Sequence, residues 1–294
     1  MDQDSRSITA RAAAYIRAAL VFATVAAIAG IVSFSEAVAA GGGAWENLMA
    51  AADEAYERGD MPAAEANTQA AIDLSKDFEE RDPRRTVARS HMADLQRVQA
   101  RYDQARQTYQ AVLAEERRLH GPNHRFVAAA IVNLAKVFRD EGKFSEAEKL
   151  YREALAIRLA DPRPSRTLIA MSNNGLATIL RAQGRYDDAE SLHRQALADI
   201  EQVLGKDHPQ TAYVLIDLAF LFYEQGRYPD AEPLYRRALA IREKALDANH
   251  PDVAASLGYM AFVLSAQGKG AEADGYSRRA RQVLSTIPAA RRPN

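Results

Sequence analysis

The chain of 294 residues contains no cysteine. Disulfides, thiolate metal sites, a cysteine nucleophile and an acylated-cysteine anchor are therefore excluded. It also lacks a dominant sign of charge: 38 Lys and Arg stand against 39 Asp and Glu, leaving a net charge of −1. The basic footprint that accompanies nucleic-acid binding is missing, so no nucleic-acid partner is expected. There is no HExxH, no GxSxG, no phosphate-cradling glycine loop followed by lysine, and no carboxylate pair outside the repeat phase. No catalytic residue, metal or cofactor is expected from such a chain. No segment alternates convincingly as a strand would.

What is present is a period. Gly142-Lys143-Phe144, Gly184-Arg185-Tyr186, Gly226-Arg227-Tyr228 and Gly268-Lys269-Gly270 recur every 42 residues, and Ala100-Arg101-Tyr102 holds the same phase. A fixed period in this range signals stacked helical repeats rather than one globular core. Counted from each turn, the residue eight before is Met or Leu, and the next is always alanine: Ala93, Ala135, Ala177, Ala219 and Ala261. An aromatic usually stands two after the turn, alanine five after, tyrosine usually nine after and alanine usually twelve after. The glycine permits the left-handed conformation that ends a helix. The alanines mark where helices cross too closely for a larger side chain. A degenerate first repeat, one residue out of register, breaks at Arg58-Gly59-Asp60, with Pro62 suited to the first turn of the next helix. His208-Pro209 and His250-Pro251 open later repeats at the phase of His124, which points to a turn role, with Asp207 or Asn249 available as caps.

Residues 1–39 stand apart. Arg6, Arg11 and Arg17 precede an uncharged run from Ala18 to Ser35, and Ala37 and Ala39 fit a cleavage site. A signal peptide is expected, with the mature chain starting near Ala40 and lying in the periplasm or outside the cell. The alternative is an uncleaved inner-membrane anchor through 18–35 that leaves the array outside the cytoplasm. A glycine joint at 40–44, an array at 45–287 and a disordered tail at 288–294 complete the expected organisation.

GRYPDAEPLYRRALAIREKAL (226–246) and DANHPDVAASLGYMA (247–261) resemble tetratricopeptide repeats, in the 42-residue variety of kinesin light chains and many bacterial proteins. The resemblance covers about residues 45–287. It implies an all-α fold, a right-handed superhelical solenoid of about six antiparallel helix pairs, and a protein or peptide partner held on a concave groove lined by first helices. Phase places Arg97, Asn133, Lys136, Arg139, Asn174, Thr178 and Arg181 on that face, along with His91 and Asp94. It also places Tyr213, Asp217, Phe220, Tyr223, Tyr259 and Phe262 there. The first set makes one half basic and the second makes the other aromatic, residue types enriched at binding hot spots. The function expected is a non-catalytic scaffold or adaptor of the cell envelope. The alternative is a self-assembling or membrane-anchored structural or assembly factor whose groove is filled by its own chain or another copy.

Overall fold

The structure, a computed structural model, describes residues 43–286. The expected leader or anchor at 1–39 and the expected tail at 288–294 lie outside the described residues. Among the described residues there are twelve α-helices and no strand, so the all-α expectation holds. They divide into two compact units between Arg185 and Tyr186. The first contains α1 (Ala44–Glu57), α2 (Met61–Ser75), α3 (Arg84–Val98), α4 (Tyr102–His120), α5 (Arg125–Asp140), α6 (Phe144–Ala160) and α7 (Arg166–Ala182). The second contains α8 (Tyr186–Leu204), α9 (Pro209–Glu224), α10 (Tyr228–Ala245), α11 (Pro251–Ala266) and α12 (Gly270–Thr286). Within each unit a helix packs chiefly on its neighbours in the chain. Among the described residues no helix is long and apolar enough to cross a membrane.

The turns explain the hairpins. Gly142, Gly184, Gly226 and Gly268 have φ of 77°, 77°, 74° and 78°. Each lets the following amide reach back five residues, as in Arg227 N to Phe222 O at 2.9 Å and Lys269 N to Leu264 O at 2.9 Å. This is the Schellman closure of a helix end. Ala100 occupies the same place and makes the same bond, Arg101 N to Gln96 O at 2.9 Å, with a φ of 58°. It is the one non-glycine residue with positive φ among the described residues, and its Cβ makes that conformation costly. The first repeat closes likewise on Gly59, at φ 75°.

The alanine columns are the helix crossings. Ala93, Ala135, Ala177 and Ala219, and across the turns Ala105, Ala147, Ala189 and Ala231, have no exposed surface. At three junctions the residue nine after a turn meets the residue nine before the next. Thr68 Oγ1 lies 2.9 Å from His91 Nδ1, and the Tyr235 ring stacks on Tyr259 at 5.4 Å. Tyr151 presses on Gly175, where an added Cβ would sit 2.5 Å from Tyr151 Cε1. One register thus fills one space with a hydrogen bond, a ring stack or a ring against bare backbone.

The N-caps of α9 and α11 are the histidines themselves, not the expected Asp207 and Asn249. His208 Nδ1 accepts from the Gln210 amide at 3.2 Å, and His250 Nδ1 from the Asp252 amide at 3.1 Å. His124 caps α5 in the same way through the Phe126 amide at 3.3 Å. The imidazole stands two residues before the free amide and bends straight onto it. Asp207 instead pairs with Lys244 at 3.2 Å.

A cation one residue after a turn repeatedly reaches a glutamate on the preceding second helix. Arg185 meets Glu148 at 3.0 Å, Arg227 meets Glu190 at 2.7 Å, Lys269 meets Glu232 at 2.8 Å, and Arg101 pairs with Glu65. Such half-exposed pairs each contribute about 0–1 kcal/mol and reinforce the register set by the alanines.

Candidate partner-binding faces

Three and six residues before each turn, the first helices change chemical character from repeat to repeat. In the first unit these positions are Asp94 and Arg97 on α3, Lys136 and Arg139 on α5, and Thr178 and Arg181 on α7. In the second they are Phe220 and Tyr223 on α9, then Phe262 and Ser265 on α11. From Lys136 onward none of them is buried.

The charged face of the first unit is not uniformly open. Arg97 is 3% exposed, which corrects its expected place on the partner-facing surface. Its Nε donates to Asp94 at 3.1 Å and its Nη1 to Asp140 at 2.6 Å. Burial works to lower its pKa, but the two carboxylates outweigh that and raise it. Asp140 also accepts from Arg139 Nε at 2.9 Å, so Arg139, though half-buried, is already neutralised. Lys136 is different: its Nζ donates to the neutral Asn133 Oδ1 at 3.1 Å. Burial draws its ammonium down to about 8, the Asp94 carboxylate opposing and Arg97, Arg139 and Arg158 reinforcing that fall. His91, also placed on the open face, is buried and lies 3.0 Å from Asp53.

On α7, Asn174 is 6% exposed and so is interior as well, while its carbonyl accepts from the half-buried Thr178 hydroxyl at 3.1 Å. Its neighbours Ser172 and Asn173 are buried too, so α7 is covered on more than one side at this point. Arg181 retains partial exposure.

The second unit gathers rings. Tyr223 stacks on Phe262 at 4.1 Å and on Phe220 at 6.5 Å, and touches Tyr228 at 5.1 Å. All four are half-buried. Burial, with a smaller effect of Tyr228, pushes the Tyr223 hydroxyl up to about 12. Tyr213 donates to Asp252 Oδ2 at 3.3 Å and lies under the Arg242 guanidinium at 5.1 Å. Asp217 is half-buried on the same helix. Tyr259, expected on the open face, is 5% exposed, because its ring completes the seam with Tyr235.

Two residues on second helices escaped notice in the sequence. Arg158 on α6 and Arg242 on α10 both stand 16 after a turn, and that shared offset was the available signal. Arg158 Nη1 donates to Leu168 O at 2.6 Å and to Ser172 Oγ. Arg242 Nη1 donates to the equivalent atoms, Asp252 O at 3.1 Å and Ser256 Oγ at 2.9 Å. Among the described residues no three His, Asp or Glu side chains gather as metal ligands.

An all-α array with nearest-neighbour packing, left-handed turns and variable first-helix faces defines a helical-repeat protein of the interaction type. Tetratricopeptide-repeat family models match residues 84–160, 168–244 and 214–286, and a second such model matches 132–193. The chain belongs to the tetratricopeptide-repeat family. No curated protein matches it in sequence. Among solved structures it is similar to BtubC (BKLC) from P. vanneervenii, with a TM-score of 0.63 and 22% identity over 80% of this chain and 94% of that one. It is also similar to a Podosopora anserina protein described as a kinesin light chain with nearly identical TPR-like repeats. There the TM-score is 0.55 with 23% identity, over 71% and 99% of the two chains. NprR in complex with its cognate peptide NprX is similar at a TM-score of 0.60 and 15% identity, over 83% and 68%. At these identities the likeness is one of fold. The matching family models describe an interaction repeat and not a catalytic domain.

Proposed function

We propose that the protein is a non-catalytic scaffold of the cell envelope that captures a segment of a partner protein on the exposed faces of its first helices. The observation that carries this reading is the ring cluster of Phe220, Tyr223 and Phe262. These side chains keep partial exposure at positions where the helices α3, α5 and α7 carry polar ones. Clustered, partly exposed aromatics are costly on a surface that meets only water, and they are characteristic of binding hot spots. NprR, a protein of similar fold, forms a complex with its cognate peptide, which supports a peptide segment as the ligand class. The uncharged run from Ala18 to Ser35 with Ala37 and Ala39 supports export.

Affinity capture from envelope extracts tests the reading. The wild-type chain is expected to retain a defined partner that the Tyr223→Ala, Phe262→Ala double variant loses while its helix content stays unchanged. A partner held equally by both proteins overturns the assignment of this face. Mass analysis of the mature chain is expected to find it beginning near Ala40 or tethered in the membrane. A full-length chain beginning at Met1 in the soluble cytoplasmic fraction overturns export.

A further inference from the structure

Helix α10 carries two prolines whose cost no packing offsets. Pro229 and Pro233 stand three and seven after the turn at Gly226. In the other repeats, counted from Ala100 onward, the first place holds Asp, Ser or Ala and the second Gln, Lys, Ser or Gly. Pro229 lies in the first turn, where a missing amide is tolerated. Pro233 lies inside the helix. It has no N–H to give the Pro229 carbonyl, and its ring crowds that carbonyl. Both prolines are exposed, so core burial does not explain them.

The prolines border a cavity of about 250 Å³ within the second unit, walled by Leu197 of α8, Leu218 and Phe222 of α9, and Leu234 of α10. Pockets for whole small molecules run from about 300 to 1,000 Å³, so this one suits a single side chain. Arg227 and Arg194 stand over the Phe222 ring at 4.0 and 5.5 Å. Glu190 accepts from Arg194 Nε at 2.9 Å and from Arg227 Nη1 at 2.7 Å, and Asp230 accepts from Arg227 Nε at 2.9 Å. Two cations stand against two carboxylates, so the site favours an uncharged occupant. The Arg194 side chain is 59% exposed and can be reached from solvent. The cavity is separate from the face of Phe220, Tyr223 and Phe262. Phe222 stands two residues from Phe220, about 200° around the helix, and is buried beneath the guanidiniums.

The next repeat supplies from its own chain the group that fits. There Arg236 takes the place of Arg194, Ala271 and Gly275 those of the prolines, and Tyr276 that of Leu234. The Tyr276 hydroxyl accepts from Arg236 Nη1 at 3.1 Å. At the cavity Leu234 is shorter and has no hydroxyl to offer Arg194. We propose that this cavity binds a tyrosine side chain of a partner segment, its ring lying on Pro229 and Pro233 and its hydroxyl accepting from Arg194 as Tyr276 does from Arg236. A phenol also has a proton to give the Pro229 carbonyl, and its ring face suits a guanidinium. The site goes beyond the scaffold reading above, because it lies between second helices and not on the faces of the first.

The probes are N-acetyl-tyrosinamide, N-acetyl-phenylalaninamide and N-acetyl-leucinamide, titrated into the whole chain and followed by leucine-methyl NMR. The tyrosine probe is expected to move the Leu197 and Leu234 methyls and to saturate with a Kd of about 1–10 mM. The phenylalanine probe is expected to bind about threefold or more weaker and the leucine probe about tenfold or more weaker. Leu234→Tyr installs the ring as the next repeat does, and is expected to abolish binding with no fall in melting temperature. Pro233→Ala restores the helix amide, and is expected to raise the melting temperature while weakening the tyrosine probe about threefold or more. Equal binding of the three probes overturns the proposal, as does a tyrosine probe indifferent to both variants. No saturable shift at Leu197 up to about 20 mM also overturns it, and so do shifts confined to the surroundings of Tyr223 and Phe262. Tyr223→Ala, Phe262→Ala is expected to leave the titration unchanged, so this site and the scaffold face stand or fall separately.

Discussion

At one pair of positions, three and six before the turn, the first unit presents Lys136, Arg139, Thr178 and Arg181 and the second presents Phe220, Tyr223, Phe262 and Ser265. The helices carrying them have the same turn geometry and the same alanine crossings. The register fixes where a side chain emerges and leaves its chemistry free. The difference extends into the interior. The first unit buries the Arg97 guanidinium between two carboxylates, Asp94 and Asp140, whereas the second buries the Arg242 guanidinium beside Asp252 under the Tyr213 ring and stacks Tyr235 on Tyr259. Charge in the first unit is directional and sensitive to salt; the rings of the second are neither.

The largest expected break comes from removing the charge that the first unit buries. Arg97→Met removes the guanidinium that Asp94 and Asp140 both accept from, and is expected to cost about 3–5 kcal/mol. Hydrogen exchange would locate the loss in α3 to α5, and unchanged protection there would show the network to be dispensable. The seam comes next. Gly175→Ala is expected to cost about 1–3 kcal/mol by overpacking against Tyr151, although the register-equivalent Tyr259 carries a whole ring. Trimming the opposing ring in Gly175→Ala, Tyr151→Leu is expected to show strong coupling in a double-mutant cycle. Additive effects would remove the clash as the cause.

The turns allow a reciprocal exchange. Ala100→Gly in the first unit is expected to raise stability by about 1 kcal/mol, and Gly226→Ala in the second to lower it by about 1–2 kcal/mol. Nothing lies within 4 Å of a Cβ added at Gly226, so backbone strain is the whole effect. Urea midpoints moving in the same direction would refute it. The smallest effect concerns Glu232, whose carboxyl is held down to about 2 by Lys269, Arg236 and Gln267 against burial. Its stabilisation is full above the ordinary glutamate range near 4.5 and is lost as pH falls toward about 2. Lys269 and Arg236 are half in water, so Glu232→Gln is expected to cost at most about 1 kcal/mol at neutral pH. A thermal shift of equal size at pH 7 and at the acid end would contradict this origin.

The scaffold was legible because it repeats. Each turn, alanine crossing and seam tyrosine states the same constraint several times, so period alone exposes it, down to the strained Ala100. The faces were half legible. Phase found Lys136 and the rings, but it treats every residue at a position alike. It could not show that Arg97 is enclosed by Asp140 from the next repeat, or that Tyr259 turns into the seam. Arg158 was passed over because second helices read as framework. The histidine caps were seen as turn residues, though the capping atom was misassigned by one position.

The seam between repeats has a consequence for modularity. Thr68 is followed by His91, Tyr151 by Gly175 and Tyr235 by Tyr259. The second helices α2, α6 and α10 therefore each carry half of a lock whose key lies on the helix that comes next. The repeats look like interchangeable cassettes, yet their order is encoded at these three junctions. A recombined chain that set Tyr151 before the repeat of Tyr259 would force two rings into a space shaped for one ring and a bare backbone. Duplication can lengthen such an array only where the new neighbours happen to fit.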